Sequence, residues 1–453
     1  MSRPRALAVA AGALVLLLAL TPFVPRGEHD DGGLQPSGDR AAPGLVLPAN
    51  AVGRSRVTPA MQSEIDRVVA AGRTVARPGT KAGLARSAAQ LVRCAELDGQ
   101  RYCLGVGWTD DTEAAVQARV ADAARVSLRT TNLTSTGDLD AVAVLARKAR
   151  MTPRARAAAD RSELELAARG VAKVWLLRHE IQGVALPADF LARHPEARAS
   201  ARAVAKATPT PSTAPTPTPT ANPTISPAVA TSGTPTTAPA ATPTVPITVP
   251  ATTPSAAVPA KTARNYPARA TVLNEKRVQE QIRNYWCGPT SMQMIAWGWA
   301  GKAHRQAYWA KRLGTTRSGT AITDMVRVIN RTTGWDDADH AGTYITLDIG
   351  DWTFQQWQLL MMRHIADYKA PVVLHPALRK RYYPYLDDDG SGHYQVGRGY
   401  DKNGKKPALL GYFEPWNQQR FDPSEPYIAR VQWRDSYRSY RANKAHFLHN
   451  VGV

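Results

Sequence analysis

The sequence is poor in cysteine, in acidic residues and in long apolar runs, and each shortage excludes a class of protein. Only three cysteines occur among 453 residues, which excludes a scaffold held together by many disulfides. After residue 24 no apolar run is long enough to cross a bilayer, which excludes a polytopic membrane protein. Acidic residues number 37 against 57 basic ones, a formal net charge of +20. A basic surface attracts anionic partners, but no zinc-finger, helix-turn-helix or phosphate-loop motif accompanies it, so we expect no nucleic-acid partner.

The first residues predict export. Arg3 and Arg5 precede an apolar run from Ala6 to about Val24, which is the pattern of a signal peptide. The run is also just long enough to be an uncleaved anchor with its positive end in the cytoplasm. Both alternatives place the chain after Arg26 outside the cytoplasm, either secreted or anchored to the outer face of the cytoplasmic membrane. No other contact with the membrane is expected.

Composition divides the chain into five segments. Residues 207–260 contain no charged residue and consist almost entirely of Thr, Pro, Ala, Ser and Val. Such a stretch cannot build a core, so it predicts a disordered and extended linker. We expect a signal peptide or anchor, a flexible segment, a mainly helical domain of unknown function, the Thr/Pro/Ala-rich linker and a C-terminal domain. Their predicted bounds are, in that order, 1–26, 27–50, 51–206, 207–263 and 264–453.

Local signals in the first of these domains predict helices. Threonine followed by proline or glutamate is typical of a helix start, where the hydroxyl caps the first turn. The sequence thus predicts helices over residues 59–71, over 113–126 and from 153 past 168, together with an Ala-rich helix over 188–206.

A β-hairpin is predicted among these helices. Asp98-Gly99 separates two apolar-rich runs and is a strong signal for a two-residue turn. In that register Cys94 lies directly opposite Cys103 at a non-hydrogen-bonded site, where the Cα atoms are close enough for a disulfide. In an exported protein we therefore expect a bond between Cys94 and Cys103.

Cys287 is then the one cysteine without a predicted cysteine partner. Gly288 and Pro289 follow it, and proline is favoured in the first turn of a helix. We expect Cys287 at the N-terminal end of a helix, where the dipole and the exposed N–H groups favour the nucleophilic thiolate. The alternative is a small buried residue at a helix start.

Gln281 lies six residues before Cys287. Cysteine hydrolases of the papain type use this spacing, because a side-chain amide there can donate to the developing oxyanion. Gln279 is a nearby competitor for the same role.

A nucleophilic thiol also needs a general base. Seven histidines of the C-terminal domain are candidates: His304, His340, His364, His375, His393, His446 and His449. His393 stands out because glycines place it at the mouth of a predicted strand, followed by a turn near Asp401 and a return strand over 408–413. The end of a return strand lies beside the start of the first strand, so Glu414 or Asn417 is expected to orient the imidazole.

Three motifs taken together resemble the peptidase C39-like family of the papain-like clan. They are Gln-x5-Cys-Gly-Pro-Thr-Ser from Gln281, Gly-His-Tyr-x-Val-x-x-Gly-Tyr-Asp from Gly392, and Tyr-Phe-Glu-Pro-Trp from Tyr412. The resemblance covers about residues 272–418. It implies an α+β, papain-like C-terminal domain, in which a helix carrying the cysteine packs on an antiparallel sheet carrying the histidine.

The resemblance also implies roles for single residues. Cys287 would be the nucleophile, His393 the base and Gln281 the oxyanion donor. The family pattern has Asp where this chain has Glu414, which is one methylene longer, so Glu414 and Asn417 remain alternatives for the third member.

We therefore expect an exported cysteine peptidase or amide hydrolase that acts through a Cys-His-(Glu/Asn) triad and a thioester acyl-enzyme. Its expected substrates are peptide or isopeptide bonds of peptides and proteins, cell-wall peptides included. No cofactor and no metal are expected, and no oligomeric state follows from the sequence. The alternatives are acyl transfer to an amine and a non-catalytic envelope-binding or adhesion protein that keeps a papain-like fold.

Overall fold

The structure is a computed structural model that describes parts of both predicted domains. The residues described are 52–73, 89, 91–127, 136–139, 141–197, 262–273, 278–301, 304–383, 386, 389–402, 409–413, 415, 428–432, 437–439 and 450–453. Three predicted segments lie outside the described residues. They are the signal peptide or anchor, the segment over 27–50, and residues 207–260, which we call the charge-free stretch. None of the helices within these ranges is long and apolar enough to cross a membrane.

Helices occur on both sides of the charge-free stretch. The α-helices are α1 (Pro59–Arg73), α2 (Glu113–Ser127), α3 (Ala141–Arg150), α4 (Pro153–Ala168), α5 (Val171–Leu177), α6 (Phe190–Arg193), α7 (Cys287–Ala300), α8 (Gln306–Leu313), α9 (Ile322–Thr332) and α10 (Phe354–Met362). A turn of π-helix extends α5 (Arg178–Gln182) and another extends α10 (Arg363–Asp367), and short 3-10 turns cover Pro195–Ala197 and Ala263–Asn265.

Ten strands among the described residues form one sheet. They are β1 (Cys94–Leu97), β2 (Gln100–Cys103), β3 (Gly107–Trp108), β4 (Arg269–Thr271), β5 (Thr346–Asp348), β6 (Val372–Leu374), β7 (Gln395–Asp401), β8 (Leu409–Phe413), β9 (Ile428–Gln432) and β10 (Asn450–Gly452). Their order is β1-β2-β3-β5-β10-β6-β7-β8-β9, and β4 also pairs with β7. The pair β3–β5 is parallel, whereas its neighbours are antiparallel. The fold is therefore α+β with a mixed sheet, which is compatible with a papain-like fold.

The sheet joins segments from both sides of the charge-free stretch. Trp108 in β3 pairs with Leu347 in β5, and both side chains are buried in one hydrophobic cluster. Next to this pair, the Thr109 hydroxyl donates to Asp348 Oδ2 at 3.0 Å. The bounds of the two domains stay a prediction, but the described residues of both contribute to one sheet and one core.

The predicted hairpin and its disulfide are confirmed. Asp98 and Gly99 form the turn between β1 and β2 with φ values of 52° and 76°, as a tight hairpin turn requires. Cys94 lies opposite Cys103, and their sulfurs are bonded.

Most helix starts lie where the local signals predict them. Helices α1, α2 and α4 begin at Pro59, Glu113 and Pro153, and the Thr152 hydroxyl caps α4 by accepting the N–H of Ala155 at 3.2 Å. The helix predicted over residues 188–206 is wrong in its described part. There α6 ends after four residues, because Pro195 disfavours helical backbone in the residue before it.

His364, in the π-helical turn after α10, is a buried histidine of the core. Its Nε2 lies 3.1 Å from the carbonyl oxygen of Pro371 and 3.3 Å from the hydroxyl of Tyr344. Burial, together with the charge of Lys173, lowers the pKa of His364 well below its ordinary value. The imidazole is therefore neutral in the folded protein, and its role is to pack and form hydrogen bonds in the core.

This lowered pKa predicts a loss of stability in acid. The unfolded chain takes up a proton on His364 as the pH falls below about 6.5, whereas the folded chain does not, so acidification favours unfolding. We expect the free energy of unfolding to fall by up to about 1.4 kcal/mol per pH unit below 6.5 because of this one group. His364→Asn should remove this contribution in urea titrations at pH 7, 6 and 5.

The matched control is His304→Asn, because His304 is exposed and its ring stacks on Tyr308. A difference between the two variants in how the free energy of unfolding depends on pH then assigns the effect to the buried ring of His364. Parallel curves for wild type and His364→Asn would contradict the lowered pKa.

The disulfide predicts a second stability difference. Replacing Cys94 and Cys103 together by serine should lower the free energy of unfolding by about 2–3 kcal/mol, because a cross-link over this short loop restricts the unfolded chain. Urea denaturation measures the loss. Wild type treated with a reductant is the control and should match the double variant, while a midpoint equal to that of oxidised wild type would refute the prediction.

Candidate active site

Cys287 is the first residue of α7, as the sequence predicts. Its side chain is fully buried, and Pro289 occupies the first turn. Gly288 lies against the loop that contains Thr320, since a Cβ atom at this glycine would be 2.5 Å from Thr320 Oγ1. The absence of a side chain at Gly288 thus allows the start of the helix to pack directly on that loop.

His393 lies two residues before β7 and is also fully buried. The next residue, Tyr394, connects it to α7, because the Ser291 hydroxyl donates to the Tyr394 carbonyl oxygen at 3.3 Å. Ser291 is one turn after Cys287, and Cys287 and Tyr394 belong to one buried hydrophobic cluster. The segment that carries the histidine therefore packs against the first turns of the helix that begins with the cysteine.

The side chain of Tyr394 extends between several groups of this site. Its hydroxyl donates to the carbonyl oxygen of Thr320 at 2.9 Å, and its ring stacks on His375 with the centroids 4.6 Å apart. Burial raises the pKa of Tyr394 well above its ordinary value, and the charges of Asp138 and Cys287 raise this pKa further.

Gln281 is fully buried in the loop before α7. Its main-chain N–H donates to the carbonyl oxygen of Pro415 at 2.8 Å. Its side-chain Nε2 donates to the carbonyl oxygens of Arg283 at 2.9 Å and Thr136 at 3.4 Å. The competitor Gln279 is only half-buried, so the residue with the predicted spacing is the one whose amide is held inside the protein.

The two candidates for the third member, Glu414 and Asn417, lie outside the described residues. The predicted hairpin itself is present, since Phe413 at the end of β8 pairs with Val396 near the start of β7. The orienting role of either residue stays a prediction.

The contacts of His375 differ from those expected of a general base. Its Nε2 lies 2.8 Å from Asp138 Oδ2 and its Nδ1 lies 2.7 Å from Asn450 Oδ1. The Asn450 amide nitrogen donates elsewhere, to the carbonyl oxygen of Val106 at 3.2 Å, which fixes the amide oxygen towards the imidazole. Both ring nitrogens are therefore engaged with oxygen atoms, and His375 is a structural residue.

The remaining histidines make other contacts or lie outside the described ranges. His364 is in the core, His304 is exposed and stacks on Tyr308, and the ring of His340 packs on two tryptophans. His446 and His449 are not among the described residues. Within the described ranges no group of three or more His, Cys, Asp or Glu side chains is arranged to hold a metal ion.

Residues 136–139, which we call the strap, are part of the site although the sequence analysis did not identify them. Thr320 N–H donates to the Gly137 carbonyl oxygen at 2.9 Å, and Leu139 N–H donates to the Thr320 carbonyl oxygen at 2.8 Å. On its other side the strap packs on the loop before Cys287, where a Cβ atom at Gly137 would lie 2.2 Å from the carbonyl carbon of Tyr285. Glycine is also required there by a φ of 105°.

The only local signal in the strap is a glycine beside an aspartate, which is typical of a turn. A turn signal does not specify which distant loops the segment will contact. The strap was therefore beyond the reach of reasoning from local sequence.

The contacts of Gln281 predict a large effect of a nearly isosteric substitution. Gln281→Glu replaces a donor by a charged acceptor that faces two carbonyl oxygens in a buried position. We expect the free energy of unfolding to fall by about 2 kcal/mol or more, measured by urea denaturation. Gln279→Glu is the control and should change it by less than about 1 kcal/mol. Equal losses in the two variants would contradict the assigned position of Gln281.

One comparison with known proteins finds a match in the C-terminal part of the chain. The model of the Peptidase_C39 like family matches residues 274–445, a stretch that contains Gln281, Cys287 and His393. No curated protein and no solved structure gives a significant match to the chain. Residues 274–445, the C-terminal part of the chain, are thus similar to the Peptidase_C39 like family.

Proposed function

We propose that the protein is an exported cysteine peptidase or amide hydrolase with Cys287 as its nucleophile. The observation that supports the proposal is that three buried residues lie on segments that pack on one another. Cys287 begins a helix, His393 precedes the strand segment bonded to that helix, and the Gln281 amide is held in the loop that leads into it. The match of residues 274–445 to the model of a peptidase-like family supports the same reaction class.

The proposed reaction has two steps. In the first, His393 accepts the proton of Cys287, and the thiolate attacks the carbonyl carbon of an amide. A C–S bond forms, the C–N bond breaks, and the amine leaves with the proton from the His393 imidazolium. In the second, water attacks the thioester with His393 as the base, which releases the acid and restores the thiol.

Gln281 and the helix start would stabilise the intermediate. The negative oxygen that forms in each step needs donors held in place beforehand, and the Gln281 side-chain amide and the main-chain N–H of Cys287 are suited to this. Glu414 or Asn417 would orient the imidazole of His393. No cofactor takes part in these steps.

We propose peptide or isopeptide bonds as the substrates, including those of cell-wall peptides. The reasons are the predicted signal or anchor and the formal charge of +20, which favours residence near anionic envelope polymers. Acyl transfer to an added amine, in place of hydrolysis, would appear as an amide product in the same assays.

The test is cleavage of a peptide library and of purified peptidoglycan, with products identified by mass spectrometry. Cys287→Ala and His393→Ala should each lower turnover by about 10⁴-fold or more. Gln281→Ala should lower kcat by about 10²–10³-fold, as expected for loss of one oxyanion donor. Intact-protein mass spectrometry should detect the acyl-enzyme on Cys287 in wild type.

The control is His304→Ala, which removes an exposed histidine and should leave turnover unchanged. Cleavage that persists in Cys287→Ala would refute the proposed nucleophile. Cleavage that persists in His393→Ala, with Cys287→Ala inactive, would assign the base to another group.

A binding protein that keeps the fold is the second candidate, and the burial of Cys287 favours it because a closed site performs no turnover. This candidate predicts that Cys287→Ser binds peptidoglycan as tightly as wild type does, and that neither protein yields products or an acyl-enzyme. Sedimentation with peptidoglycan and the library assay distinguish it from the hydrolase.

A further inference from the structure

The site is closed in this structure. Cys287, Gln281 and His393 are each 0% exposed. A substrate carbonyl must come into contact with the sulfur for the proposed reaction, so part of the surrounding protein has to move first. The position of the strap makes it the part to consider.

The strap contacts the site in the way that a bound peptide would. Its main chain pairs with Thr320 through two hydrogen bonds, as an extended peptide pairs with the edge of a binding cleft. On the opposite side it packs directly on the main chain of Tyr285, two residues before the nucleophile. It therefore lies between the loop that contains Thr320 and the loop that leads to the start of α7.

The strap also accepts a hydrogen bond from a donor that the proposed reaction needs. Gln281 Nε2 donates to the carbonyl oxygen of Thr136, which is a residue of the strap. An amide directed at that oxygen is not available to an oxyanion. The same contact would be made by the carbonyl group of a substrate, so strap and substrate compete for it.

Thr136 and Asp138 attach the strap to the segment that contains His393 and to His375. The Thr136 hydroxyl donates to the carbonyl oxygen of Gly392 at 2.6 Å, and the Thr136 N–H donates to Ser391 Oγ at 3.3 Å. Asp138 is 0% exposed in its side chain and is paired with His375 at 2.8 Å. The Ser391 hydroxyl donates to the second carboxylate oxygen of Asp138 at 3.4 Å.

We propose that the strap is an autoinhibitory segment, which covers the Cys287 site until it is displaced, and that the pair Asp138–His375 is the contact that holds it closed. The inference rests on the proposed function, because inhibition has meaning only for an active site. The strap precedes residues 207–260 in the chain and Cys287 follows them. In this proposal, the strap therefore controls a nucleophile on the other side of the charge-free stretch.

Accessibility of the Cys287 thiol measures the closed state directly. Cys94 and Cys103 are bonded to each other, so iodoacetamide reacts with Cys287 alone in the native oxidised protein, and mass spectrometry of digests gives the rate. Asp138→Asn removes the charge of the pair at constant shape. Gly137→Val introduces a side chain where Tyr285 leaves no room. We expect each variant to raise the rate of Cys287 alkylation at least about tenfold, because the accessible fraction of molecules rises.

The matched control is Asp189→Asn. Asp189 is an exposed residue that pairs with Arg193, and its replacement should leave the alkylation rate unchanged. Circular dichroism and urea denaturation establish that each variant is folded under the labelling conditions.

A measurement on wild type requires no variant. If the strap opens by itself, the alkylation rate of Cys287 should rise only weakly with urea below the global transition, and it should exceed the rate that global unfolding permits. If the alkylation rate depends on urea concentration as steeply as global unfolding does, the strap does not open separately, and the proposal is overturned. Slower or unchanged alkylation in folded Asp138→Asn and Gly137→Val also overturns it.

Turnover of the peptide library separates this inference from the proposed function. Faster turnover in Asp138→Asn than in wild type supports both. Faster alkylation in the variants without any cleavage supports an opening strap but refutes the hydrolase, and with it the inhibitory role. Equal cleavage by wild type and by variants with faster alkylation refutes inhibition and leaves the hydrolase standing.

Discussion

The buried imidazole of His375 is the point at which four distant stretches of the chain meet. Its Nε2 contacts Asp138, and its Nδ1 contacts Asn450 in β10, whose amide donates to the carbonyl oxygen of Val106. Removing one partner would leave a buried polar group without its hydrogen bond, which typically costs about 1–3 kcal/mol. The placement of the strap, of the central strand β10 and of the turn between β2 and β3 therefore depends on one ring.

The same ring determines the surroundings of the candidate base. Pro376, the next residue along the chain, accepts the main-chain N–H of His393 at 2.9 Å, and Tyr394 stacks on the ring of His375. The segment that contains His393 is thus held at two points, by the carbonyl oxygen of Pro376 and by the ring of His375. Fold and candidate site are in this respect a single network of buried polar groups, in which each member limits the position of the next.

Local signals predicted the features that depend on neighbouring residues. Asp98-Gly99 and the disulfide follow from turn geometry, and the start of α7 at Cys287 follows from the proline in its first turn. The strap was not predictable in this way, because Asp138 and its partner His375 are 237 residues apart. The composition of residues 207–260 indicates a flexible connection, but it does not tell whether the segments on either side pack together. The Ala-rich pattern after residue 188 predicted a long helix, and Pro195 ended it.

The central position of β10 has a consequence for the order of folding. Residues 450–452 pair with β5 on one side, and Gly452 pairs with Val373 of β6 on the other. Without β10 the described sheet would consist of two parts, β1-β2-β3-β5 and β6-β7-β8-β9 with β4, each with an open edge where β10 pairs. Open edges are sites of wrong pairing and aggregation. In folding, the pairing of β10 therefore joins the two parts and covers both open edges.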